Sequence, residues 1–140
     1  MRTPGLASLA ALLCLVAGDC ATSTADMPES EKIRVYAAKS FDEVWAAVQH
    51  SVSELKCLTV TTDKAGGSLQ AKCVRSTLGA ALGEAPWGLY VSVSQTAGGV
   101  RVEANSEYLH PQAAGGGDEA RNYVLRFLKT LDTSLGVQSR

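Results

Sequence analysis

The sequence is poor in the residues that catalytic and metal-binding sites usually require. It has two histidines, His50 and His110, and neither has a cysteine or carboxylate at the spacing of a metal ligand set. No motif for a catalytic nucleophile or a phosphate-binding loop is present. We therefore expect a protein that is not an enzyme, with no catalytic residues, no metal and no cofactor.

Charge of one sign is also lacking, because the formal net charge is −1 at pH 7. Proteins that hold nucleic acid through bulk electrostatics need a basic face, and a polybasic membrane patch needs clustered lysines and arginines. The charge pattern therefore argues against both classes, and we expect no nucleic-acid partner.

The chain also lacks an apolar run long enough to cross a membrane. Its longest run covers residues 6–16, about half of the roughly 20 residues that a spanning helix needs. The run follows the positive charge of Arg2, which is the arrangement of a signal peptide. We expect residues 1–20 to be a lipoprotein-like signal peptide, and the mature chain to be one exported domain.

The residues around Cys20 leave the point of cleavage open. The run Leu15–Gly18 suits the approach to a lipidated cysteine, but Asp19 stands where such signals have a small residue. Cleavage after Ala25 is the alternative, whereas cleavage after Gly18 would leave an odd number of thiols in an oxidising compartment. The expected lipidation site is Cys20, and the expected location is periplasmic or anchored to the outer membrane through this lipid only.

The rest of the chain divides into a tether, a domain and a short tail. Residues 21–31 are small, polar and acidic, which is typical of a flexible tether. Residues 32–136 contain all the strand-like and helix-like apolar patterns and form the predicted domain. Residues 137–140 are predicted to be a disordered tail.

Apolar spacing in the domain predicts the order β-α-β-β-β-β-α. Ser40 and Glu43 form a capping-box pattern at the start of the first helix, and Trp45 is its largest apolar residue. Two amphipathic helices can cover only one face of an antiparallel sheet. We therefore predict an α+β two-layer sandwich, with about five antiparallel strands and two helices on one face. In the second helix, Asp132 is predicted to lie outside the apolar stripe.

Cys57 and Cys73 lie on the two arms of a predicted hairpin that closes at the sequence DKAGG. If Thr62 faces Ser68, the two cysteines oppose each other and can form a disulfide bond. A register shifted by one residue would place the two sulfurs on opposite faces of the hairpin.

The same register leaves a small apolar strip on the other face of the hairpin. It is either covered by the chain around residues 76–86 or by the tether, or it is a docking surface for an envelope protein partner. The strip consists of Leu58, Val60 and Val74.

A second candidate site is a cleft for a small apolar ligand between the helices and the sheet. It would make the protein a soluble periplasmic carrier, and the competing interpretation is that its aromatic side chains serve ordinary packing. The candidate residues are Trp45, Trp87, Tyr90, Tyr108 and Phe127.

The segments SFDEVWAAV and CLTVTTDKAGGSLQA resemble a pattern of small bacterial envelope lipoproteins. In that pattern a strand leads into a helix that opens with Ser-aromatic-Asp-x-Val-Trp, and a hairpin with Asp63 and Gly67 follows. The order of elements is also similar to the helix-grip domains of barrel-assembly accessory lipoproteins, and more remotely to Bet v 1-like proteins. The resemblance implies a fold, an envelope location and no catalytic residues. We expect the protein to be a non-enzymatic interaction or assembly module, with the apolar-ligand carrier as the alternative.

Overall fold

The structure, a computed structural model, describes residues 24–25, 27–74, 78, 81–82, 86–109 and 117–138. The predicted signal peptide, with Cys20, lies outside these ranges. Among the described residues, no helix is both long and apolar enough to span a membrane.

The described helices and strands follow the predicted order, with one additional helical turn before the first strand. Their bounds are Glu29–Lys32 for α1, Ile33–Tyr36 for β1, Phe41–Glu54 for α2, Leu58–Asp63 for β2, Ser68–Cys73 for β3, Trp87–Thr96 for β4, Gly99–Tyr108 for β5 and Gly117–Ser134 for α3.

The strands form one antiparallel sheet in the order β1-β5-β4-β3-β2. Leu69, Leu89 and Val102 lie on one face of the sheet and are fully buried beneath α2 and α3. Gln70 and Tyr90, which alternate with them, lie on the opposite face. The predicted α+β two-layer sandwich, with two helices on one face of a five-stranded sheet, is confirmed.

The start of α2 shows the predicted capping box. The Ser40 hydroxyl accepts a hydrogen bond from the Glu43 amide at 3.2 Å, and the Glu43 carboxylate accepts one from the Ser40 amide at 2.8 Å. This second bond lowers the pKa of Glu43. One turn further on, Trp45 is buried and stacks on Phe41, with ring centroids 6.0 Å apart.

The buried face of α3 is wider than the apolar stripe that the sequence predicts. Asp132 is buried, so the prediction that it lies outside this face is wrong. It follows Leu128 by four residues, which places both side chains on the same side of the helix. Its carboxylate accepts hydrogen bonds from the Tyr36 hydroxyl at 2.7 Å and from Arg34 Nε at 3.4 Å. Burial, together with the hydrogen bond to Asp132, raises the pKa of Tyr36.

Part of the predicted tether packs against the domain. The Thr24 amide donates a hydrogen bond to the Ser106 carbonyl at 2.9 Å, and the Ser106 amide donates one to the Thr24 hydroxyl at 2.8 Å. Thr24 and Met27 are both buried, and α1 follows directly. Within the described residues, the predicted tether therefore packs along β5 from Thr24 onwards.

Candidate interaction site

The register of the β2–β3 hairpin agrees with the prediction near the cysteines and departs from it near the turn. Up to Thr59 the pairing is as predicted, but Ser68 lies opposite Asp63 rather than Thr62. The register shifts by one residue at Val60, where β2 has a β-bulge. The predicted register is therefore correct for one half of the hairpin and wrong for the other.

The turn explains why Asp63 belongs to the strand. Its carboxylate accepts a hydrogen bond from the Gly66 amide at 2.9 Å, which closes a short Asx-type turn. Gly67 follows with a φ of 66°, a left-handed conformation that glycine adopts without steric cost. The hairpin loop is thus one residue shorter than the DKAGG pattern suggests, and the bulge takes up the extra residue.

Cys57 and Cys73 form a disulfide-bonded pair at the base of this hairpin, with Cα atoms 4.3 Å apart. Such a short distance is typical of directly opposed residues in a non-hydrogen-bonded pair. Cys73 is buried in the core, and Cys57 packs against the core from its margin. The predicted pairing of the two cysteines fits this geometry.

Strand β2 contributes almost nothing to the core, although it is part of the sheet. All of its residues are exposed, whereas alternate residues of β3 are buried. The helices therefore cover the sheet up to β3 and leave both faces of β2 in contact with solvent. Among the described strands, only β3 pairs with β2, so the outer edge of β2 is open.

The predicted apolar strip lies on and beside this exposed strand. Leu58 is 72% exposed and Val60 is 53% exposed, while Val74, just after β3, is partly buried. Neither of the coverings considered above shields Leu58 or Val60 within the described residues. We call Leu58, Val60 and Val74 the docking strip, after the role that the sequence predicts for them.

Loss of the disulfide is expected to destabilise the domain and to loosen β2 in particular. The bond closes a loop between residues 16 apart in sequence, and cross-links of this size contribute about 3 kcal/mol in the chain-entropy account. The double variant Cys57→Ser, Cys73→Ser should lose that amount in chemical denaturation, and β2 amides should exchange faster with solvent.

The wild-type protein with and without reductant supplies the control for this experiment. Reductant should lower the stability of the wild type to that of the double variant and leave the variant unchanged. Equal stability of the wild type in both conditions would show that the bond contributes nothing to the fold.

The structure separates Tyr90 from the other aromatic residues of the predicted ligand cleft. Trp87 and Tyr108 contact each other, with ring centroids 4.7 Å apart, and Phe127 is fully buried in the core. Trp45 lies near the start of α2. Tyr90 points to the other face of the sheet, away from the helices. Tyr90 therefore lies outside any space between the helices and the sheet.

On that open face, Tyr90 belongs to a polar cluster. Its ring lies over Gly88, where an added Cβ would come within 2.9 Å of the ring, and its hydroxyl donates a hydrogen bond to Glu107 at 2.6 Å. This bond raises the pKa of Tyr90. On the same strand as Glu107, Glu103 forms an ion pair with Arg101 at 2.9 Å. Both carboxylates are thus engaged in local contacts of the sheet surface.

The described residues contain no group of three or more side chains that could hold a metal ion. His50 is exposed on α2, and His110 lies outside the described residues.

The geometry defines a class of protein: a small α+β sandwich whose edge strand β2 is exposed and is linked to β3 by a disulfide at the base of their hairpin. The chain matches no protein-family model, and no curated protein matches it in sequence. The resemblance to envelope lipoproteins therefore stays a prediction.

Proposed function

We propose that the protein is a non-enzymatic, exported envelope lipoprotein that binds another envelope protein through the docking strip. The observation that carries this proposal is the state of β2, which is covalently held in the sheet while both of its faces are exposed. A strand that buries no side chain of its own gains little from the core, so its fixed position serves a contact outside the domain.

The disulfide supports both the compartment and the binding role. Disulfide bonds persist in oxidising compartments such as the periplasm, which agrees with the predicted export. The disulfide bond at Cys57 also fixes the position of the adjacent Leu58 in the unbound protein. Binding then costs less conformational entropy than it would with a mobile hairpin.

The packing of Thr24 supports lipidation of Cys20 over the alternative processing site. Cleavage after Ala25 would remove Thr24, whose hydroxyl and amide both form hydrogen bonds with Ser106. Buried backbone groups that lose their partners destabilise a fold. A mature chain that begins at Cys20 keeps these bonds.

Charges around the docking strip indicate what the partner offers. Lys72 lies directly opposite Leu58 in the hairpin, and Lys56 precedes β2; both side chains are exposed. A complementary partner surface therefore has an apolar groove for Leu58 and Val60, with acidic residues at its rim.

The double variant Leu58→Asp, Val60→Asp tests this proposal. A photo-reactive amino acid at position 58 first identifies the partner in the native envelope, and the affinity is then measured with the two purified proteins. Two exposed apolar anchors at the centre of an interface contribute enough that the variant should bind about 100-fold more weakly. Its stability should stay within about 0.5 kcal/mol of the wild type, because both sites are exposed.

Val35→Asp is the matched control, since Val35 is another exposed apolar residue, 52% accessible, on the opposite edge strand β1. It should bind the partner with wild-type affinity. Unfolding of the double variant would mean that the strip belongs to the core, and equal weakening by the control would place the interface elsewhere.

A further inference from the structure

We infer that Leu78 and Leu82 rest on the lipid surface of the membrane that holds the protein. This inference depends on the proposed lipid anchor at Cys20. It goes beyond that proposal, because it adds a direct protein–lipid contact and fixes the orientation of the domain on the bilayer.

Leu78 and Leu82 form one apolar surface on the connection between β3 and β4. The Leu82 amide donates a hydrogen bond to the Leu78 carbonyl at 3.0 Å, which is the i to i+4 contact of a helical turn. Residues at this spacing project on the same side of a helix. The two side chains are 68% and 78% exposed, and they are among the most exposed large apolar residues that the structure describes.

The topology places this turn at the same end of the sheet as the N-terminal segment. β3 ends at Cys73 and β4 begins at Trp87, so their connection crosses the end at which β5 also finishes. Thr24 is hydrogen-bonded to Ser106, two residues before the end of β5. The chain therefore enters the fold at the end that carries the two leucines.

The distance from the lipid to the fold is short. Cys20 lies four positions before Thr24, and an extended chain of four steps spans at most about 14 Å. The longest strands, β4 and β5, have ten residues each and are about 33 Å long. The tether therefore keeps the near end of the sheet within about 14 Å of the lipid-bearing residue and sets no such limit on the far end.

These facts together favour lipid as the occupant of this surface. The anchor brings the near end of the sheet to the interface, and interfacial depths of about 5–10 Å suit leucine side chains on an amphipathic turn. The position of Leu58, the first residue of β2 and also at this end, places the docking strip beside the membrane.

The inference can be tested with an environment-sensitive label on the lipidated protein. Leu82→Cys is expressed with its own signal sequence, labelled with the fluorophore NBD and reconstituted into vesicles of phosphatidylethanolamine and phosphatidylglycerol. We expect the NBD emission of the labelled protein to be about twofold higher in the vesicles than in buffer without detergent or lipid. Nitroxide-labelled lipids in the vesicles should quench this emission strongly. Val35→Cys, exposed at the opposite end of the sheet, should show neither effect.

The outcomes separate the two proposals. The intact mass of each labelled sample shows whether Cys20 carries acyl chains; a mass without them overturns the anchor and the inference with it. Acyl chains on Cys20 with a label at position 82 as water-exposed as the label at position 35 would overturn the lipid contact and leave the anchor standing. The vesicles contain no other protein. If the label at position 82 were shielded from water in native membranes but not in these vesicles, the surface would be assigned to a protein partner and the inference would be overturned.

Discussion

Asp132→Ala is expected to destabilise the domain by about 2–4 kcal/mol, because it removes a charged hydrogen-bond acceptor and leaves a buried hydroxyl without its partner. The Tyr36 hydroxyl, 2.7 Å from the carboxylate, would keep its burial and lose this partner. Arg34 would lose its ion pair, although its side chain is partly exposed and can be hydrated. Equilibrium unfolding in urea measures the loss.

Two milder variants serve as controls for Asp132→Ala. Tyr36→Phe removes a single hydrogen bond and leaves the ion pair with Arg34, so about 1–2 kcal/mol should be lost. Asp132→Asn keeps an acceptor for Tyr36 and should fall between the two. A loss below about 1 kcal/mol for Asp132→Ala would show that water replaces the carboxylate and that the network contributes little.

Trp45→Ala is expected to cost a similar amount, about 3–5 kcal/mol, for a different reason. The indole is buried in the core and stacks on Phe41, so truncation loses apolar contacts and leaves a cavity that neighbouring side chains fill only in part. The same unfolding experiment measures the effect. Gln49→Ala, at an exposed position of the same helix, should change stability by less than about 0.5 kcal/mol. Equal losses of stability for the two substitutions would show that Trp45 does not contribute to the core.

The two sites differ in how well sequence reasoning could find them. Trp45 belongs to an apolar repeat at helical spacing, and the capping box of Ser40 and Glu43 marks where its helix begins, so its burial follows from local pattern alone. Asp132 lies on the buried side of α3 because Tyr36, 96 residues away, supplies a partner for its carboxylate. Prediction from polarity places an aspartate on the solvent side of a helix. The only local sign that Asp132 faces the core is its position four residues after Leu128, on the same side of the helix.

In the β2–β3 hairpin, too, the sequence predicted one half of the register and not the other. Alternation and the two cysteines were enough to predict the pairing near Cys57, since a one-residue slip there would separate the sulfurs. The pairing near the turn depends on the hydrogen bond between Asp63 and Gly66 and on the bulge at Val60, which no periodicity encodes.

The candidate surfaces were predictable only in part. The apolar strip follows from the register, but the exposure of Leu58 depends on where the helices stop covering the sheet. Leu78 and Leu82 lie in a stretch rich in small residues, and the lipid contact that we infer for them rests on the position of Thr24 at the same end of the sheet.

The hydrogen bonds between Thr24 and Ser106 also determine how the domain can move once Cys20 carries a lipid. In the proposed lipid-anchored protein, the anchor lies only a few residues from an inner strand of the sheet and keeps the domain close to the bilayer. The docking strip would then lie near the same membrane surface as the proposed partner. Encounters with a partner in the same membrane become a search in two dimensions with one axis already aligned, so a modest contact area can give a high occupancy.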